Sequence, residues 1–350
     1  MKNRRYFTVF SRFVVVLGLV LLLQAIPTEL PAQCQSLVGS CATTGWARGV
    51  AVAGSHAYLA ADTQGLVIID VSDPSNPTFE GAYDTASRAQ GLEVRGDYAY
   101  VADAYDGLRI ISITDSSAPT EVGYYDTSGS ALDVAVAGNY AYLAVDADGL
   151  DILDISDPAH PSLVGSIDLD GDVSDVVVFG SYAYLAAETD YFHIIDISDP
   201  SSPQDLGQLD TTGYVFGVAL EGSLAFLADD LQGLRVADVS TPSAPTEIGS
   251  WPPSTGAASI VAVQADLRYA YVAESGNGMR VFDISDPTNP TSVGVVDTDG
   301  IALDIVVEGR YAYVADRNGG LKVFDLSDCR LFVNGFERGN TLEWTQTAGQ

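Results

Sequence analysis

Histidine, methionine and cysteine are scarce in this chain, at three, two and three residues in 350. The imidazoles, His56, His160 and His193, are scattered, which leaves little material for a transition-metal centre built on His and Cys. Basic residues are also few. Sixteen Lys+Arg stand against 47 Asp+Glu, a formal net charge of −31. That balance excludes a general nucleic-acid binder, whose basic face must displace counterions from phosphate. It also opposes docking on anionic lipid. No Gly-x-Ser-x-Gly elbow, phosphate loop or Cys-x-x-Cys pair is present, and carboxylate pairs are too common to single out glycosidase chemistry.

Long apolar runs occur in one place only. Lys2, Arg4, Arg5 and Arg12 precede an uncharged stretch, Phe13 to Leu23, which suits a signal-peptide core and is too short for a stable membrane span. Residues 1–32 read as a cleaved signal ending at Leu30-Pro31-Ala32; the apolar core favours the general secretory route over the twin-arginine one. Cleavage would take the charge from −31 to −34 by removing four basic residues and Glu29. The expectation is a soluble, monomeric protein exported to the periplasm, cell surface or medium, where disulfides persist.

What is abundant is strand and turn material: 34 Gly, 18 Tyr and 47% hydrophobic residues. The run Ala-Tyr-Leu/Val-Ala recurs, with its aromatic at Tyr58, Tyr100, Tyr142, Tyr184, Phe226, Tyr271 and Tyr313, spaced by 42, 42, 42, 42, 45 and 42. Seven residues on comes a Gly followed by an apolar residue, as in Gly65-Leu66 and Gly278-Met279; the fourth copy breaks it with Tyr191-Phe192. A Ser-Asp-Pro turn follows, as at Ser72-Asp73-Pro74. Each unit reads as four short strands, in the first copy Gly49–Ala53, Ala57–Ala61, Leu66–Val71 and Thr78–Tyr83. Four strands in about 42 residues is the unit of a β-propeller blade. The seventh copy lacks its fourth strand, and a spare one, Leu37-Val38-Gly39-Ser40, precedes the first copy. The fold expected is therefore all-β: a seven-bladed β-propeller of four antiparallel strands per blade over residues 36 to 328, closed by its amino-terminal strand. Residues 331–350 form a tail outside it.

Gly65-Leu-Val-Ile-Ile-Asp-Val-Ser-Asp-Pro74 resembles the motif of the LVIVD-repeat proteins, exported β-propeller proteins. Asp151-Ile-Leu-Asp-Ile-Ser-Asp-Pro158 and Met279-Arg-Val-Phe-Asp-Ile-Ser-Asp-Pro287 match as well, while the second copy departs with Ser112 and Ser116. The resemblance implies the fold and carries no shared chemistry.

A residue type that recurs in nearly every copy serves the scaffold. Asp70, Asp154, Asp196, Asp238, Asp283 and Asp325 are expected to accept backbone N–H bonds in the following turn, and the repeated Tyr to pack between blades. Individuality lies in the loops. The loops between second and third strands should share a face with those between blades, which gathers 19 carboxylates against Arg48, Arg88 and Arg317. Trp46, Arg48, Arg88, Tyr105, Asp146, Tyr191 and Tyr214 are the candidate ligand residues there, with a protein or carbohydrate as partner. Calcium is the candidate cofactor, held by Asp168, Asp170, Asp172 and Asp175. An alternative set at the channel mouth is Asp133, Asp175 and Asp304, which could instead cap backbone groups. Aligning Gly39 with Gly81 puts Cys34 and Cys329 on one turn, within disulfide reach, and leaves Cys41 a buried free thiol. No catalytic residue stands out. The leading expectation is a non-catalytic extracytoplasmic binding module; the alternatives are a metal-dependent hydrolase or lactonase-like enzyme at the channel mouth and a cell-surface assembly protein.

Overall fold

The computed structural model describes residues 36–169, 171–187, 191–252, 262–266 and 268–327, the side chain of residue 231 aside. The expected signal, Cys34, Asp170, Cys329 and the tail lie outside the described residues. Those described form seven four-stranded antiparallel sheets. Blade 1 comprises Gly49–Ala53, His56–Ala60, Leu66–Asp70 and Thr78–Tyr83. Its second strand starts one residue earlier than expected because His56 pairs with Ala53. Its third ends one residue earlier because the Val71 N–H leaves the ladder for the Ser55 carbonyl.

Ring closure is as expected. Ser36–Cys41 pairs antiparallel with Leu321–Asp325 and completes blade 7, whose other strands are Tyr311–Ala315 and Asp304–Glu308. Gly39 faces Val323 as Gly81 faces Ile68, and Cys41 faces Leu321 as Tyr83 faces Leu66. Cys41 is a free thiol but half-buried, since it ends the strand at the blade's outer edge.

The core lies between blades. Seven apolar clusters fill the seven seams. The repeated aromatic of each second strand faces the next blade: Tyr58 packs with Leu92 and Ile111, and Tyr313 with Val67 and Ile69 across the closing seam. Alternation along a strand sends successive side chains to opposite faces, so Leu66 and Ile68 fill one seam while Val67 and Ile69 fill the other.

The repeated aspartates bind backbone as expected. Asp70 Oδ1 accepts the Ser72 N–H at 2.8 Å, and Asp154, Asp196, Asp238, Asp283 and Asp325 repeat the contact. Asp73 accepts both the N–H and the hydroxyl of Ser75.

The fourth-strand glycine has a steric cause. A Cβ on Gly123 would lie 2.1 Å from the Pro158 carbonyl oxygen in the next blade's turn. Gly39, Gly81, Gly165, Gly207 and Gly249 meet the equivalent carbonyl at 2.2, 2.2, 2.3, 2.6 and 2.2 Å. Neighbouring blades approach closely only where this side chain is absent. Gly123→Ala should therefore open the seam, costing roughly 1–3 kcal/mol and lowering the melting temperature by several degrees. An unchanged melt would show that the seam yields without cost.

Candidate functional site

The second-to-third-strand loops lie against the inter-blade loops. Asp62, Ala104, Asp146, Ser275 and Arg317 hold left-handed backbone, with φ of 48, 46, 34, 40 and 35°. Each pairs with the start of the next blade, at Ala89, Ala131, Val173, Ala302 and Ala47 respectively. This strained conformation is disfavoured for residues other than glycine, and the inter-blade backbone bonds offset it. Across the closing seam two guanidinium groups approach the Trp46 ring, Arg317 at 3.7 Å and Arg48 at 5.7 Å from its centre, and Arg48 pairs with Asp62 at 2.8 Å.

A second repeated device is blade-specific. Asp103, Asp229, Glu274 and Asp316 are buried at or just after the ends of their second strands, and Arg109, Arg235, Arg280 and Lys322 follow six residues later. Arg235 reaches Asp229 at 2.5 Å and Glu247 at 2.6 Å; Arg280 reaches Glu274 at 2.8 Å. Thr85 and Thr298 donate to Asp103 and Asp316 from the inter-blade loop at 2.6 and 2.7 Å. Among the described residues, one oxygen each of Asp103, Asp229 and Asp316 has no hydrogen-bond partner, a place suited to a buried water. Burial pushes Asp103 and Asp229 up to about 6 despite their arginines. The remaining blades carry Ala61, Val145 and Ala187 at the acid position and Val67, Asp151 and His193 at the basic one. Sequence reasoning missed this pairing, although the six-residue spacing across blades was there to be found.

The channel is a cavity of about 780 Å³ lined by the innermost strands. Asp133, Asp175 and Asp304 all face it. Each caps the next blade: Asp133 accepts the Val176 N–H at 3.3 Å, Asp175 that of Val218 at 2.6 Å, and Asp304 that of Val50 at 2.8 Å. Glu93 does the same for Val136 at 2.5 Å. Asp133 and Asp175 lie near enough for the charge of one to act on the other, which favours a proton on Asp133. Burial first, and then Asp175, push Asp133 well above the ordinary carboxyl range. Burial, with the Asp175 charge adding to it, takes Asp304 to about 6 despite the Val50 and Ile305 N–H groups that it accepts.

The calcium set does not share one cavity. Asp175 lines the channel, and Asp168 lines a separate cavity of about 350 Å³ between blades 3 and 4. Asp172 is grouped with Asp146 and Asp148, whose charges add to burial in raising Asp146. Among the described residues no three His, Cys, Asp or Glu side chains are placed to hold a metal ion. Of the ligand-face residues, Tyr105 is 78% and Tyr214 53% exposed, Arg88 is exposed, and Tyr191 is half-buried against the His193 ring. The histidines stay apart: His56 pairs with Glu80, His160 with Asp157 and His193 with Asp205.

The LVIVD repeat matches seven consecutive segments, residues 44–85, 86–127, 128–169, 170–211, 212–252, 255–298 and 299–329. The chain belongs to the LVIVD repeat family. No curated protein matches it. Solved structures share its fold at low identity. A chain of the mitotic checkpoint complex superposes with a TM-score of 0.70 at 9% identity, over 93% of this LVIVD-repeat chain and 98% of that one. The β-propeller domain of Myceliophteria thermophila Cps50 (Swd1) gives 0.68 at 11%, over 83% and 99%. The computationally designed Ika8 protein gives 0.62 at 10%, again over 83% and 99%. At such identities the likeness is one of architecture.

The carboxyls of this LVIVD-repeat propeller make its stability depend on pH from both sides. The Ser72 N–H and hydroxyl hold Asp70 below its ordinary value, and the Ser75 hydroxyl and N–H do so for Asp73. Groups with a lowered folded-state pKa stabilise above the unfolded value, about 3.9, and lose that contribution as pH falls. Asp103, Asp151, Asp229 and Asp304, raised to about 6, act in the opposite sense. Their contribution is complete below about pH 4 and is lost as pH rises through about 6. The melting temperature should therefore be higher at about pH 5 than at about pH 7.5. Asp133→Asn, which can donate to Asp175 while accepting from Val176, should keep the fold and reduce the difference. A melt that rises steadily to about pH 7.5 would contradict this account.

Proposed function

We propose that this LVIVD-repeat propeller is an exported, non-catalytic binding module whose acidic loop face receives a partner rich in ammonium and guanidinium groups. The observation that carries the reading is the exposure of Tyr105 and Tyr214, at 78% and 53%, on loops crowded with carboxylates. Aromatic side chains held out from a rigid scaffold supply contact area at small entropic cost. The unbalanced negative charge around them steers a basic partner and repels an acidic one. Asp133, Asp175 and Asp304 meanwhile are engaged in holding backbone N–H groups of neighbouring blades.

A second reading, a hydrolase at the channel mouth, draws on the buried Asp133–Asp175 pair, in which burial and the Asp175 charge raise Asp133, since such pairs can serve acid–base chemistry. Turnover of ester or lactone substrates that Asp133→Asn abolishes would favour it over the binding module.

A synthetic Lys-rich peptide should bind the full chain, and its Glu-rich counterpart should not. Tyr105→Ser combined with Tyr214→Ser should weaken the Lys-rich complex by roughly tenfold with an unchanged melt. Equal binding of both peptides, or no effect of the double change, would remove the basis for this face. Calcium is the cation proposed for the same surface, where Asp146, Asp148 and Asp172 repel one another. At matched ionic strength calcium should raise the melting temperature more than sodium, and Asp172→Asn should reduce the excess. Equal shifts would mean that the face is only screened.

A further inference from the structure

Blade 4 departs from its siblings at two repeated positions, and both departures line the same cavity. The six other copies place glycine at the turn into the third strand, each with positive φ, as at Gly149 with 81°; blade 4 has Tyr191. Two residues later four blades carry Arg or Lys, and blade 4 has His193. The cavity of about 350 Å³ beside them is also lined by Asp168, Leu169, Asp205 and Gln208.

The histidine is half-engaged. In blades 5 and 6 a long arginine spans from the inner buried acid to the outer strand, from Asp229 to Glu247 and from Glu274 to Ser292. Blade 4 keeps only the outer link, His193 Nδ1 to Asp205 at 3.1 Å, and has Ala187 in place of the inner acid. The His193 side chain is 4% exposed, and its Nε2 has no hydrogen-bond partner among the described residues. In the tautomer that donates Nδ1–H to the carboxylate, Nε2 presents a lone pair. A buried acceptor left unmatched is costly, which makes this nitrogen a place for a donor from outside.

We infer that this cavity binds a primary ammonium group on an alkyl chain, taken up by Asp168, the free Nε2 of His193 and the side-chain carbonyl of Gln208. An ammonium offers three donors, and these are three acceptors. The half-buried Tyr191 ring supplies a face for the cation, and the buried Leu169 an apolar contact for the chain. Two carboxylates and no Lys or Arg line the cavity, so an anionic ligand is repelled. Its size falls at the lower end of the ~300–1,000 Å³ usual for small-ligand pockets. The same chemistry serves a lysine side chain of a docked protein or a free alkyl amine. The inference rests on the loop face being a surface for basic partners, and gives it one specific contact.

Calorimetric titration of the full chain tests it, with Nα-acetyl-lysine amide, n-butylamine and methyl glucoside as probes. The two amines should bind and the glucoside should not. A preference for the lysine derivative identifies a side-chain pocket, and parity identifies a free-amine site. Asp168→Asn changes an exposed residue and should leave the melt intact while weakening amine binding roughly tenfold or more. His193→Phe should abolish binding, and His193→Gln, which keeps an acceptor, should partly restore it. No heat with either amine at about 10 mM, which would reveal even millimolar affinity, overturns the inference. So does glucoside binding equal to that of the amines, or an Asp168→Asn variant that binds them normally. If the Lys-rich peptide still binds through Tyr105 and Tyr214 while both amines fail, only the pocket is lost; if the peptide fails as well, the acidic face itself is.

Discussion

Everything in this molecule depends on the seam between blades. A four-stranded sheet of these sequences has apolar side chains on both faces and can bury neither alone. The clusters that fill the seams therefore make up the core of the described residues, and each blade depends on its two neighbours. The polar devices serve the same end. Loop residues with left-handed backbone pair with the next blade, channel carboxylates cap its first strand, and fourth-strand glycines let its turn approach.

The acidic composition thus divides into distinct physical roles. Turn aspartates such as Asp70 are ionised acceptors of local N–H groups and are exposed or half-buried. Seam carboxyls such as Asp103 and Asp304 are pushed towards protonation by burial. Loop-face acids such as Asp146 and Asp148 gain little from one another and leave charge unbalanced at the surface. Residue type alone does not separate these roles; position within the repeat does.

The fold was legible because the repeat states it seven times. Tyr58 and its counterparts set the period, the Ser-Asp-Pro turns set the strand ends, and the spare Leu37–Ser40 segment showed where the ring closes. The candidate site was less legible, because what is individual about each blade appears once. The capping role of Asp133, Asp175 and Asp304 was one of two readings that spacing allowed, and only the placement of the Val176, Val218 and Val50 N–H groups separates them. Asp168 and Asp175 are close in sequence yet line different cavities, since the chain enters the innermost strand between them. His193 reads as an ordinary strand residue until its blade is compared with those in which an arginine fills the same place.

Closure by Ser36–Cys41 also has a consequence in time. This strand is among the first parts of the propeller to be synthesised, and its partner, Leu321–Asp325, is among the last. Intermediate blades can stack as they appear, but blade 7 cannot exist until both Ser36–Cys41 and Leu321–Asp325 are present. Until then the nascent molecule is an open arc with an uncovered apolar blade face at each end and Ser36–Cys41 unpaired, surfaces of the kind that recruit other chains. Such long-range pairing makes assembly slow. The step that converts a growing stack into a closed ring is the last one in the propeller, and it waits for Leu321–Asp325.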